Sequence, residues 1–208
     1  FFQQAVSFCR QHNLILVHDF PYVDLVFTDQ TDIAPSILEA DPQKELSIEF
    51  FTLSKSYNMG GFRIGYAIGN SSLIQALRQI KAVVDFNQYR GILNGAIAAL
   101  SGSQESVVQT VATFKHRRVV FIQALNEIGW QVTSPQATMY IWAKLPSPWQ
   151  NNSIKFCTQL VTQTGVAASP GAGFGRAGEG YVRFALVKEP KILRQAAAKI
   201  NQFLQTTI

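Results

Sequence analysis

The 208-residue chain has few of the residues that build disulfide scaffolds and metal centres: two cysteines and three histidines. Cys9 and Cys157 lie far apart, with no CxxC and no histidine cluster beside either. That argues against a disulfide framework and against a metal site, and both are expected to be buried free thiols in a reducing compartment. His12, His18 and His116 show neither triad nor metal spacing, so no chemistry is assigned to them, although His18 stands beside Asp19 and could support it. Charge is also scarce, at 15% of residues, and the net charge of +5 has no Lys/Arg block or RNA-binding motif behind it. A solvated surface accounts for it, and nucleic acid is not an expected partner. No apolar run approaches the length of a membrane span and no signal-peptide pattern leads the chain, so a membrane is not expected and a cytoplasmic location is. There is no initiator Met. The chain opens inside an amphipathic helical pattern, Phe1–His12, with Phe1, Ala5, Phe8 and Cys9 on one face and no capping residue before it, and further sequence upstream is expected.

What is present is ample core material: 47% of residues are hydrophobic, in the range of an ordinary globular protein. After the first helix, Leu14–His18 reads as a short buried strand. A loop with Pro21, Pro35 and Pro42 runs from Phe20 to about Lys44. Ser47–Leu53 and Arg63–Ile68 read as strands around a polar, Gly-containing turn, Ser54–Phe62. Helical periodicity follows at Leu73–Val83, Arg90–Leu100 and Gln104–Ile128. Beyond Trp130 the texture changes. Gln131–Thr133, Met139–Leu145, Val166–Ser169 and Tyr181–Val187 read as strands, Ile154–Thr164 and Lys191–Leu204 as helices. Alternating strands and helices favour an α/β layer fold for the first section, and the second reads as a smaller α+β unit. With the long helix as connector, the boundary is expected near residue 108, giving domains 1–108 and 109–208.

Four places carry residue types with chemical use: Asp19 with Tyr22, Thr52 to Lys55, Arg63, and Arg183. Taken singly, each has a structural reading. Asp19 could cap a turn, Lys55 could be a surface lysine, Arg63 could pair with a carboxylate, and Arg183 could be a structural ion pair. Their setting changes that. The stretch Ser54-Lys55-Ser56-Tyr57-Asn58-Met59-Gly60-Gly61-Phe62-Arg63-Ile64-Gly65-Tyr66 resembles the cofactor-lysine signature of class I/II aminotransferases, in which an arginine follows the lysine by eight residues in a G-x-R-x-G setting. Asp19-Phe20-Pro21-Tyr22 is similar to the family's Asp-x-x-Tyr pair on the preceding strand. Ser169-Pro170-Gly171-Ala172-Gly173-Phe174-Gly175, followed by Tyr181-Val182-Arg183-Phe184-Ala185, resembles the segment holding the carboxylate-binding arginine. The matches run in the family's order over essentially the whole chain, which looks most like the branch of LL-diaminopimelate, aspartate and alanine aminotransferases.

The resemblance implies an α/β fold of the aspartate-aminotransferase type. The chain would supply an incomplete large domain with a mostly parallel sheet, plus a small C-terminal α+β domain. It implies pyridoxal 5'-phosphate held by Lys55 as a Schiff base, and reversible amino transfer between an α-amino acid and a 2-oxo acid. Asp19 would pair with the pyridine nitrogen and Tyr22 would donate to the ring oxygen. Arg63 and the Thr52 hydroxyl, with Ser54 as an alternative donor, would hold the phosphate. Arg183 would clamp the substrate carboxylate. The Gly171–Gly175 loop is expected to line the entrance and to move on closure. Met139, Tyr140 and Trp142 are expected to pack in a core. The resemblance also implies a homodimer, with the Asp85–Asn94 region on the dimer face, and a phosphate loop, stacked ring and ring-oxygen Asn upstream of Phe1. Two other readings stay open: a related β-lyase or synthase using the same cofactor, and a catalytically incompetent fragment or aminotransferase-like regulator domain.

Overall fold

The computed structural model describes residues 1–28 and 33–206, and the chain divides into two compact units, Phe1–Val111 and Ala112–Ile208. Residues 29–32 of the expected Phe20–Lys44 loop lie outside the described residues.

The first unit opens with helix α1 (Phe2–Gln11), which buries Val6 and Cys9. A three-stranded sheet follows, in the order β1 (Leu16–Asp19), β2 (Ser47–Thr52), β3 (Gly65–Gly69). The pair β1–β2 is parallel, with Asp19 opposite Phe50. β3 joins antiparallel, with Gly65 opposite Thr52. The reason lies in the connection: residues 53–64 hold no crossover helix, and a parallel neighbour needs one. The strand expected from Arg63 starts at Gly65 instead, because Arg63 sits in the left-handed region with φ 52°. Two parallel strands and one returning strand thus put the ends of β1 and β2 and the start of β3 at one edge of the sheet.

The start and middle of β2 are held by buried polar groups as well as by apolar packing. Asp41 is buried and its carboxylate accepts from the backbone N–H groups of Glu45, Leu46 and Ser47 and from the Ser47 hydroxyl, at 2.6–3.2 Å. Burial pushes its pKa up, but the four donors outweigh burial and hold the carboxyl below its ordinary range. Glu49, in the middle of β2, is fully buried and accepts from Ser36 Oγ and the Ile37 N–H at 2.7 Å, and it lies 2.8 Å from His18 Nδ1. Past the sheet, Leu53, Ile64 and Ala96 form a small core with Tyr57, Met59 and Ile92 against it. Helices α2 (Ser71–Val84) and α3 (Arg90–Ser101) follow; Asn70 caps α2 by accepting from the Ser72 and Leu73 N–H groups. Helix α4 (Glu105–Glu127) carries the chain on.

The second unit is an antiparallel sheet in the order β4 (Tyr140–Lys144), β6 (Tyr181–Ala185), β5 (Ser169–Pro170), with helices α5 (Ser153–Thr164) and α6 (Pro190–Thr206). Strands β4 and β6 alternate: Ile141, Ala143, Val182 and Phe184 are buried, while their neighbours face the other way. The core is aromatic. Phe156 meets Trp130, Trp149 and Phe203 at ring distances of 5.9, 5.6 and 5.6 Å. α6 adds Leu193, Ala197, Ile200 and Phe203 at helical spacing.

Two expected strands change here for a common reason. Residues 131–133 form none, because the Val132 N–H donates to the Asn126 side chain at 3.1 Å. The strand expected at Val166–Ser169 shrinks to Ser169–Pro170, the Val166 N–H being taken by the Thr164 hydroxyl. A local side-chain acceptor competes with the ladder and wins. Cys9 and Cys157 are both free and buried, and burial pushes the Cys157 thiol up to about 11. Among the described residues no helix is long and apolar enough to cross a membrane.

Candidate active site

In the first unit the named residues gather at the edge described above. Asp19 is the last residue of β1 and Thr52 the last of β2. Ligand sites of α/β sheets form at such carboxyl ends, where loops diverge and backbone donors are free. Asp19 is exposed, and among the described residues nothing bonds to its carboxylate. Tyr22 and Lys55 meet: Lys55 Nζ stands 5.6 Å from the centre of the Tyr22 ring.

Lys55 occupies a turn that the sequence builds tightly. Leu53 is buried, and its carbonyl accepts from the Met59 N–H at 3.1 Å, while the Asn58 N–H reaches back to the Lys55 carbonyl at 3.3 Å. Asn58 takes φ 55°, which asparagine tolerates better than most residues. The turn therefore fixes the lysine backbone and leaves a partly buried side chain to reach outward.

Thr52 and Ser54 form a hydroxyl pair. Thr52 Oγ1 lies 2.8 Å from Ser54 Oγ and 3.2 Å from the Ile64 carbonyl, and it accepts from the Ser54 N–H at 3.1 Å. Ile64 is the residue after Arg63, so this pair sits at the arginine's own turn. Arg63 is exposed; one guanidinium nitrogen donates to the Gly60 carbonyl at 2.8 Å, and its carbonyl accepts from Gln88 Nε2 at 2.9 Å. Gln88 carried no signal in the sequence that would have singled it out.

Pyridoxal phosphate, which the resemblance implies, demands a lysine, an acid for a pyridine nitrogen, and cationic and hydroxyl donors for a phosphate. The donor set at this edge fits it: an unpaired Asp19 carboxylate, Lys55 with no hydrogen-bond partner among the described residues, Arg63 with donors to spare, and two hydroxyls.

In the second unit Arg183 lies on the outward face of β6, directly across from Trp142 on β4. Its guanidinium carbon is 4.2 Å from the centre of the Tyr140 ring and 4.3 Å from that of Phe174. Sequence reasoning assigned Tyr140 and Trp142 to a core, and strand alternation is the signal that corrects it. Ile141 and Ala143 take the buried face, so Tyr140 and Trp142 share the face of Arg183. Phe174 comes from the glycine-rich loop. That loop is anchored, since a Cβ on Gly171 would run into the Gly178 carbonyl and one on Gly178 into the Gly171 carbonyl. Ser153, buried at the start of α5, accepts from the Ala172 N–H at 3.1 Å, and its own N–H donates to Glu179 at 2.7 Å. Backbone donation from Ser153, and next from Gly180, holds the Glu179 carboxyl below its ordinary range.

The family model for aminotransferase class I and II matches residues 2–200. The chain belongs to the class I and II aminotransferase family. It is 44% identical over 203 residues to an LL-diaminopimelate aminotransferase of Dehalococcoides mccartyi, covering 98% of this chain and 51% of that protein. It is 41% identical over 202 residues to the glutamate-pyruvate aminotransferase of Escherichia coli, covering 97% and 48%. Among solved structures, substrate-bound BacF of Bacillus subtilis superposes with a TM-score of 0.91 at 32% identity, over 97% of this chain and 51% of that one. An aspartate aminotransferase of Thermotoga maritima gives 0.87 at 25% identity, over 98% and 51%. The chain spans about half the length of these proteins, and its α/β fold is the corresponding part of theirs, including part of the large domain.

Proposed function

We propose that the whole protein is a pyridoxal-phosphate-dependent aminotransferase that moves an amino group between an α-amino acid and a 2-oxo acid, with Lys55 as the cofactor lysine. The observation that carries this reading is the gathering of Asp19, Tyr22, Thr52, Lys55 and Arg63 at one sheet edge, in a chain of the aminotransferase family.

When bound, the cofactor supplies an electron sink for the substrate α-carbon. The residues of this chain divide the remaining work. Lys55 would hold the group covalently through Nζ. Its uncharged Nζ would also serve as the base that takes the proton from the substrate α-carbon. Asp19, unpaired at the end of β1, holds the proton on the pyridine nitrogen. The Tyr22 hydroxyl donates to the ring oxygen. Arg63 presents its planar fork to the phosphate. The Thr52 hydroxyl, with the Ile64 carbonyl as an acceptor within reach, and the Ser54 hydroxyl beside it are the two donors offered to the phosphate. Arg183 takes the substrate α-carboxylate in bidentate fashion and so fixes the rotation of the α-carbon bonds.

The domain division proposed for the whole protein follows the same family, with residues 1–108 in the large cofactor domain and 109–208 in the small one. The protein is further proposed to work as a cytoplasmic homodimer. Val83 and Val84 at the end of α2, and Phe86 and Tyr89 between α2 and α3, are each more than three-quarters exposed, the kind of residues a partner subunit covers.

Borohydride reduction of the full-length protein with its cofactor, followed by peptide mapping, tests the central assignment. The pyridoxyl mass is expected on Lys55. Finding it on Lys44 or Lys81 overturns the reading.

A further inference from the structure

We infer that Tyr140 and Phe174 are positioning residues that hold Arg183 ready for a carboxylate, in place of a resident acid. The inference rests on the reading that Arg183 binds the substrate carboxylate.

An arginine side chain is long and rotamer-rich, and a binding arginine gains affinity when its conformation is fixed beforehand. Proteins commonly fix one with an Asp or Glu. Here no carboxylate among the described residues forms an ion pair with Arg183. The side chain is instead held on two rings, at 4.2 Å from Tyr140 and 4.3 Å from Phe174. The difference matters for a ligand. A resident carboxylate would occupy the in-plane N–H donors and would have to be displaced. A ring attracts the guanidinium through its face and leaves those donors at the edge, where a bidentate carboxylate needs them.

The rings are themselves braced. Trp142 meets Phe174 edge-on at 5.5 Å and 77°, and stacks on Tyr181 at 5.5 Å and 16°. Phe174 is 50% exposed and Trp142 39%, so this cluster is not the buried core of the unit, which lies on the opposite face of β4 and β6.

The test is steady-state kinetics of the full-length enzyme with L-glutamate and L-alanine as amino donors. Tyr140→Leu and Phe174→Leu are each expected to raise KM about 3- to 30-fold, the range of a lost cation–π contact, with kcat within about twofold. Tyr140→Phe keeps the ring and is expected to restore the parental KM, which a role for the hydroxyl would not allow. Calorimetric titration with succinate, a carboxylate that cannot react, is expected to show the same loss in the Leu variants, and equal melting temperatures exclude a folding defect. An unchanged KM in the Tyr140→Leu/Phe174→Leu double variant overturns the inference, as does a Tyr140→Phe variant as impaired as Tyr140→Leu. Arg183→Ala separates the two levels. If it raises KM while the ring variants are silent, only the positioning role fails; if it leaves KM unchanged, the carboxylate role of Arg183 fails with it.

Discussion

Lys55 Nζ stands 5.6 Å over the ring of Tyr22, joining the end of β1 to the turn after β2. The contact follows from the parallel pairing of the two strands, which sets Asp19 opposite Phe50 and sends both chains out of the sheet at the same edge. Tyr22 and Lys55 belong to separate sequence motifs, and sheet register is what makes them neighbours. A ring face near an ammonium also gives that side chain a mild electrostatic tether without a competing carboxylate.

Asp19 makes the first prediction. Asp19→Asn keeps a side chain of the same shape but removes the charge that would hold a proton on the cofactor nitrogen. In the full-length enzyme, kcat for transamination is expected to fall roughly 100-fold or more, the scale of losing a preorganised charge at the reacting centre. Cofactor affinity, by absorbance titration, is expected to fall less than about tenfold. Near-parental turnover in this variant would remove Asp19 from the mechanism.

Asp41 governs stability rather than chemistry. Its buried carboxylate takes four donors, and Asp41→Ala leaves three backbone N–H groups and a hydroxyl in search of partners. The expected cost is about 3 kcal/mol or more in urea unfolding of the full-length protein. The folded-state pKa is depressed, so the unfolded chain binds the proton more readily than the folded one. The stabilisation is therefore complete above the ordinary carboxylate range and is lost as pH falls through the depressed value. Stability curves of parent and Asp41→Ala should converge in acid below pH about 4 and stay apart at neutral pH. A constant gap across that range would contradict the assignment.

Gly171→Ala tests the anchoring of the loop that carries Phe174. The added Cβ meets the Gly178 carbonyl and comes within 2.7 Å of the Tyr181 carbonyl, and backbone cannot yield as a side-chain tip can. The two segments must separate, at a cost of about 1–3 kcal/mol. A lower melting temperature is expected together with a raised KM for amino donors, since Phe174 moves with the loop. A variant with parental stability and KM would show that the close approach is not needed.

Much of this fold was legible because its signals are local. The helices at 71–84, 90–101 and 105–127 follow from apolar periodicity, and the Lys55 signature from contiguous residues. What the sequence hid was non-local or competitive. The antiparallel return of β3 depends on a turn made by Asn58 and Arg63 at positive φ. The strands lost near Val132 and Val166 were lost to single side-chain acceptors, Asn126 and Thr164, which periodicity does not weigh. Glu49 reads in sequence as a charge inside a strand, and only the fold supplies Ser36, Ile37 and His18 to satisfy it. The ring cluster around Arg183 was legible in part: alternation along Tyr140–Lys144 separates Tyr140 and Trp142 from Ile141 and Ala143, but the arrival of Phe174 from another segment is tertiary.

The final prediction concerns the 208-residue chain expressed alone. It spans about half the length of its curated relatives, and the resemblance places a phosphate loop, a stacked ring and a ring-oxygen Asn in the half that precedes it. Lys55, Asp19, Tyr22, Thr52, Ser54 and Arg63 remain to hold pyridoxal phosphate. Each hydrogen bond to a charged group that is missing costs on the order of 1.5–3 kcal/mol. Affinity falls about tenfold per 1.4 kcal/mol, so the loss of two or three such bonds weakens binding by several orders of magnitude. A covalent link through Lys55 is reversible and does not retain the cofactor unaided. The sheet β1–β2–β3 would also keep open edges, which loosens the geometry that Asp19 and Lys55 need. Absorbance titration of this chain with pyridoxal phosphate is expected to show weak binding, and addition of glutamate is expected to give no conversion to the amine form. Tight binding with full conversion would show that this half of the protein is sufficient, and that the upstream half contributes little to the cofactor site.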